Sequence, residues 1–240
     1  DGMPDGVLQN TIVLGDPTKD DYFGYMGTSM ASPHIAGVAA LVVTATAAAN
    51  WFVLRGRGVA TLRQLGLTTP RAAGLAGALG IALLMLLTAL VFLRVMGMTS
   101  TVYPGWLGSL AGLFAQGGIA EEVLFRGYLF GHLRIGRTFW RAAGLSMLPF
   151  VAVHLVLFAT MPWPIAVASV LLSIIISFPL AHLYELGGNT VWGPALLHFV
   201  IQGTVKVMVI SDRPELFALA WMAASALVPL LVFAVKTPRA

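Results

Sequence analysis

A few ionisable side chains set inside long apolar runs carry the chemistry that this chain of 240 residues could perform. Glu121, Glu122 and Arg126 stand in Gly117-Gly118-Ile119-Ala120-Glu121-Glu122-Val123-Leu124-Phe125-Arg126-Gly127. His154 closes Phe150-Val151-Ala152-Val153-His154, and His198 opens His198-Phe199-Val200-Ile201-Gln202. A charge in the middle of such a run costs about 2.5 to 3.5 kcal/mol on insertion scales, so each one needs a partner or a function. Glu122 and Arg126 are spaced i and i+4, in reach of an ion pair on one helix face. Glu121 projects about 100° away from Glu122, which leaves its carboxylate for proton transfer. An internal salt bridge that only helps helix packing explains Glu122 and Arg126, but not Glu121, whose isolated charge would be expensive. Two histidines and a carboxylate pair on three separate helices share a need for polar surroundings, and that need draws the helices round one wet cavity. A free carboxylate and imidazoles around such a cavity are groups for general acid–base chemistry.

The remaining ionisable groups in apolar runs read more simply. Arg94, Glu185 and Lys206 fall near run ends, where long side chains snorkel to the interface. His182, one turn before such an end, reads as an interfacial histidine.

The elements that must position these residues are membrane helices. The chain is 58% hydrophobic and only 10% charged, with a mean hydropathy of +0.86, far from the roughly 25% charged residues of a globular domain. A soluble enzyme, a coiled coil and a disordered tail are excluded. Zero cysteines exclude a disulfide scaffold, a thiolate zinc site and a cysteine nucleophile. Apolar stretches long enough to span a bilayer, about 20 residues each, run over 35–54, 73–98, 105–131, 139–161, 164–185, 190–210 and 214–235. They predict an all-α, polytopic membrane helix bundle of six to seven transmembrane helices, with a short N-terminal segment outside the membrane. Pro70, Pro104, Pro162, Pro164, Gly187, Gly188 and Pro214 punctuate the gaps. No ten-residue apolar alternation marks a membrane strand, and strands are not expected.

Charge sets the expected orientation. Arg55, Arg57, Arg63 and Arg71 share one loop, Arg134, Arg137 and Arg141 another, and Lys236 and Arg239 sit at the C-terminus, whereas the opposite side has Lys19 and Arg213. With seven crossings, the positive-inside rule puts the C-terminus in the cytoplasm. A bacterial inner membrane is the expected location. The basic remainder reads as arginine-anchored loops facing anionic lipid, not as a nucleic-acid surface.

Residues 1–34 differ in character, with five aspartates against a single lysine in a chain of net charge +4. No secretory leader is read in them, and the start is expected to be truncated. Gly27-Thr28-Ser29-Met30-Ala31-Ser32-Pro33-His34 leads into the apolar Ile35-Ala36-Gly37-Val38-Ala39-Ala40-Leu41. This string resembles the nucleophile motif of the subtilisin-like serine proteases, with Ser29 in the nucleophile position. The acid and base elements that the family places upstream are missing, and His34 has no buried carboxylate to orient it. Residues 1–44 are therefore expected to be an inactive subtilase-like fragment, and 45–240 the membrane domain.

Over about residues 50–236 the chain resembles the CAAX protease and bacteriocin-processing (CPBP, Abi-like) intramembrane proteases. Their three motifs, EExxxR, FxxxH and HxxxN, are met by Glu121-Glu122-x-x-x-Arg126, Phe150-x-x-x-His154 and His198-x-x-x-Gln202, with Gln202 where the family usually has Asn. The resemblance implies an intramembrane endopeptidase in which Glu121 with His154 holds and deprotonates water, Arg126 fixes Glu122, and His198 with Gln202 donates to the oxyanion. The implied substrate is a peptide or protein, membrane-associated or prenylated. Glu121, His154 and His198 could alternatively make a His/His/Glu zinc set with an open position, and the metal-free form is preferred. A non-catalytic membrane scaffold, or a bacteriocin-immunity-type protein that uses the cavity for binding, is the rival reading. Ser29→Ala and a serine-directed phosphonate are both expected to leave peptide cleavage by the purified chain unchanged, and loss of cleavage by either route would return the chemistry to the N-terminal segment.

Overall fold

The computed structural model describes residues 7–13, 16–25, 28–52, 58–102, 106–160 and 162–236, with side chains from Ala40 onward apart from Thr160. The side chains of Ser29 and His34, and residues Arg55, Arg57 and Arg239, lie outside this description. The chain opens with β1 (Val7–Val13) and β2 (Asp16–Tyr25), paired antiparallel. Then follow α1 (Thr28–Phe52), α2 (Val59–Gln64), α3 (Ala72–Val95) and β3 (Ser100–Val102). A long helical run over 106–134 comprises α4 (Trp106–Leu113), a π-helical stretch Phe114–Ala120, the pair Glu121 and Glu122, a second π-helical stretch Val123–Phe130, and α5 (Gly131–Arg134). After it come α6 (Phe139–His154), α7 (Leu157–Thr160), α8 (Trp163–Leu186), α9 (Trp192–Val207), β4 (Met208–Ile210) and α10 (Pro214–Leu227), which tightens into a 3₁₀ stretch, Val228–Ala234.

Each of the seven apolar runs becomes helix close to its expected bounds, but the runs are not equivalent. Among the described residues, four helices are long and apolar enough to cross a membrane: Ala72–Val95, Phe139–Ala159, Trp163–Leu186 and Pro214–Ala234. Six to seven were expected from hydropathy alone. The 106–134 run carries Glu121, Glu122, Arg126 and Arg134, α9 is 16 residues long with Lys206 in its last turn, and Ala40–Phe52 forms a shorter apolar helix. Large apolar side chains face outward, as Leu83, Leu87, Leu90 and Val91 do on α3. An exposed apolar surface of this extent belongs in lipid, and the chain is an integral membrane protein.

Two short antiparallel pairs form where no strand was expected. β3 pairs with β4, Ser100 opposite Ile210 and Val102 opposite Met208. These segments are rich in β-branched residues but too short to register as a pattern. They pair because the packing of α3 on α9 brings their ends side by side, and Arg213 Nη2 donates to the Met96 carbonyl beside them at 3.0 Å.

The opposite end of the bundle gathers the arginine-bearing loops. Arg71 N–H donates to the Gly187 carbonyl at 2.9 Å, Val191 N–H to Gly66 at 3.0 Å, and Trp192 Nε1 to Thr68 at 2.9 Å. Arg134 is ion-paired with Glu185, and His182 Nε2 lies 2.8 Å from the Val235 carbonyl. The turn at 187–191, which carries no positive charge of its own, is thereby fixed on the arginine side.

Glycines let the backbones approach at this end, as small residues do between membrane helices. A Cβ at Gly127 would lie 2.2 Å from the Leu65 carbonyl oxygen, and one at Gly74 would lie 2.3 Å from Gly187 Cα. At Gly144 in α6 a Cβ would meet nothing within 4 Å. Gly127→Ala is therefore expected to lose about 1 to 3 kcal/mol, whereas Gly144→Ala should be neutral or gain up to about 1 kcal/mol from helix propensity. Thermal unfolding of the two variants in detergent checks the contrast.

Candidate active site

The glutamate pair sits between the two π-helical stretches of the 106–134 run. A π-helix closes i to i+5 hydrogen bonds, and π turns are frequent at functional sites because they re-aim side chains that an α-helix would separate. Gln116 and Glu121, five apart, illustrate the effect: Gln116 Nε2 donates to Glu121 Oε1 at 3.3 Å.

Glu122 is fully buried, and its Oε1 accepts two hydrogen bonds. Arg126 Nη1 donates at 3.1 Å from the same helix, and His198 Nδ1 lies 2.7 Å away on α9. Arg126 is itself 3% exposed, and its guanidinium carbon stands 4.3 Å from the centroid of the Phe150 ring on α6. A carboxylate on one side and an aromatic face on another compensate the burial of this cation. The ring of Phe150 also packs edge-on against Phe125, at 5.0 Å between centroids.

A carboxylate at Nδ1 fixes the state of an imidazole. When the ring proton on Nδ1 is donated to Glu122, Nε2 is the acceptor of that tautomer. The amide nitrogen of Gln202, one turn along α9, donates to it at 2.8 Å. That amide lies directly over Gly117, where a Cβ would come within 2.7 Å of Gln202 Oε1. Gly117 thus makes the room that the longer arm of a glutamine requires.

Glu121 faces the same imidazole from the other side. Its Oε2 is 3.9 Å from His198 Nε2, and its side chain is 20% exposed, against 0% for Glu122. Glu121 Oε2 and Gln202 Oε1 are both buried without a hydrogen-bond partner, as is Glu122 Oε2. Buried acceptors of this kind are rare in folded proteins and call for a specific explanation.

Direct contacts therefore bring together Glu121, Glu122, Arg126, His198 and Gln202. His154 is positioned differently. Its Nδ1 lies 2.7 Å from the Phe150 carbonyl, and its ring packs on Phe150 at 4.8 Å; Phe150 in turn lies 6.1 Å from the His198 ring. Among the described residues no hydrogen bond joins His154 to either carboxylate. The imidazole in contact with the carboxylates is that of His198, which is bonded to Gln202 instead of standing beside it as a second free donor. Glu122 orients His198 as well as pairing with Arg126. Gln116 and Gly117 were not singled out from the sequence: Gln116 is uncharged, and its spacing from Glu121 is out of register on an ordinary α-helix.

The zinc set Glu121, His154 and His198 does not fit this arrangement. Among the described residues, no group of three or more His, Asp and Glu is arranged to hold a metal ion.

Residues 101–204, which include all of these side chains, match the family model described as Type II CAAX prenyl endopeptidase Rce1-like. Residues 4–80 match that of the Subtilase family, a longer range than the motif around Ser29. Both resemblances read from the sequence are thus matched by family models, each over less than half of the chain. Comparison with curated proteins and with solved structures gave no match.

Arg126→Ala would leave Glu122 buried without its cation. Removing one partner of a buried pair costs about 3 to 5 kcal/mol, so the variant should unfold at markedly lower temperature in detergent, while Arg126→Lys should recover part of the loss. A thermal midpoint unchanged by Arg126→Ala would show that His198 alone compensates Glu122.

Proposed function

We propose that this chain is a glutamate-dependent intramembrane endopeptidase of the CPBP type, acting on peptide segments presented at or within the bilayer. The observation that carries the reading is the unpartnered, buried Oε2 of Glu121, 3.9 Å from His198 Nε2, together with the unpartnered Oε1 of Gln202, whose amide nitrogen lies 2.8 Å from the same Nε2. A water molecule needs two to four polar partners, and these atoms would supply them. In the proposed reaction Glu121 Oε2 takes a proton from that water as the water oxygen bonds to the scissile carbonyl carbon. The tetrahedral oxyanion receives a hydrogen bond from the Gln202 amide, which turns from His198 Nε2 to reach it, while His198 Nε2 accepts from the water. Collapse of the intermediate breaks the C–N bond, and the proton held by Glu121 passes to the leaving amine.

The other residues act through these. Arg126 pairs with Glu122, Glu122 orients His198 through Nδ1, and Gln116 holds Glu121 by its other oxygen. His154, across the Phe150 ring, lines the approach of the substrate. The arginine-bearing end, with Arg63, Arg71, Arg134, Arg137, Arg141 and Lys236, is assigned to the cytoplasmic face of a bacterial inner membrane by the positive-inside rule. Residues 1–44 are assigned as an inactive subtilase-like appendage to the membrane domain 45–240.

One observation favours the rival, non-catalytic reading: the Gln202 amide occupies His198 Nε2, which would close the site unless substrate or water re-pairs it. Glu121→Gln separates the two. It removes the proton acceptor and keeps the size, so cleavage of membrane-inserting peptides by the detergent-purified chain should fall at least about 100-fold with an unchanged unfolding midpoint. Full cleavage by Glu121→Gln, or an unmodified chain that binds such peptides and cleaves none, would establish the binding role instead.

A further inference from the structure

A cavity of about 370 Å³, lined by none of the residues around the glutamate pair, opens at the arginine-bearing end of the bundle. Arg63 of α2, His132 and Arg134 of α5, Tyr184 of α8 and Asn189 of the following turn line it. Three features mark it as built for an anion. Tyr184 is only 4% exposed, and its hydroxyl reaches the cavity against Gly131, where a Cβ would stand 3.1 Å from it. No hydrogen bond of that hydroxyl is seen among the described residues.

The charges around it do not balance. Arg134 is ion-paired through Nε with Glu185 and donates from Nη1 to the Arg137 carbonyl, which leaves Nη2 available. Arg63 has no ion pair among the described residues. Two guanidinium groups thus face one carboxylate, with a phenol donor at the buried end. A tetrahedral phosphate oxyanion suits this set, since guanidinium groups and hydroxyls bind its oxygens in parallel.

The surroundings select the source of the phosphate. Ile135, 74% exposed, lines the same cavity, and Trp140, 62% exposed, follows on the next helix. Exposed apolar and aromatic side chains beside arginines mark the headgroup level of a bilayer, where basic pockets between membrane helices hold anionic lipid headgroups. We infer that this cavity is a binding site for the phosphate of an anionic phospholipid headgroup, which clasps α2, α5 and the α8–α9 turn together at the membrane surface.

The test is native mass spectrometry of the full chain released from detergent micelles containing equal amounts of phosphatidylglycerol and phosphatidylcholine of matched acyl chains. The unmodified chain should retain phosphatidylglycerol preferentially; Arg63→Gln should lower its retention about fivefold, the effect of one basic contact at a membrane surface, and Tyr184→Phe at least about tenfold, the loss of a hydrogen bond to a charged group. Arg94→Gln, at the other end of the bundle, should leave retention unchanged. Thermal midpoints of the variants, measured in detergent without added lipid, should match that of the unmodified chain. Equal retention of the two lipids, or retention unaffected by both Arg63→Gln and Tyr184→Phe, overturns the inference. Displacement of phosphatidylglycerol by millimolar inorganic phosphate overturns the lipid as the source and assigns the cavity to a soluble phosphate compound, whereas retention in its presence supports the lipid.

Discussion

One buried negative charge, on Glu122, is shared by three helical elements. Its carboxylate accepts from Arg126 on its own helix and from His198 on α9, while Arg126 rests on the ring of Phe150 from α6. In a bilayer interior no bulk water is available to take over any of these contacts. The charge therefore dictates how the 106–134 run, α6 and α9 meet, and shape complementarity of the apolar side chains follows around it. The same interaction decides the state of His198, because a proton donated from Nδ1 to Glu122 leaves Nε2 as the reactive face. Fold and site are coupled through a single carboxylate oxygen.

The two neighbouring glutamates have divergent surroundings. Glu122 is saturated on Oε1 and closed to solvent, whereas Glu121 is 20% exposed, held on one oxygen by Gln116 and unpartnered on the other. Adjacent residues on a helix point in different directions, so a single helix can hold one carboxylate as structure and the next as a reagent. The π-helical stretches on either side add the change of register that brings Gln116 under Glu121. Gly117 supplies the space into which Gln202 folds.

Polar organisation recurs at the arginine-bearing end, with a different balance. There the backbone of 65–71 is bonded to the 187–191 turn, and Gly74 and Gly127 permit contacts that a single methyl group would block. At the headgroup level of a bilayer, charge is tolerated and can be paired by lipid. The catalytic candidates lie deeper, where each charge must be paired by protein.

The sequence by itself determined the membrane class, the positions of the helices and the chemistry-bearing residues. Composition excludes a charged surface, and apolar runs and Pro/Gly breaks are local properties, so the bounds of α3 and α8 differ from the expected ones by only a few residues. The i, i+4 pairing of Glu122 with Arg126 was legible for the same reason, since both partners sit on one helix. Tertiary structure alone decided that His198 is the imidazole bonded to Glu122, that Gln202 turns back onto His198, and that His154 stands apart behind Phe150. It also decided that β3 and β4 pair, and that a tyrosine hydroxyl of α8 ends in a basic cavity. Those facts depend on which helices are neighbours and on the π-helical change of register. Hydropathy has no direction around a helix that is apolar on every side, as α3 and α8 nearly are, so the sequence marks that these helices cross the membrane without marking which face each turns inward.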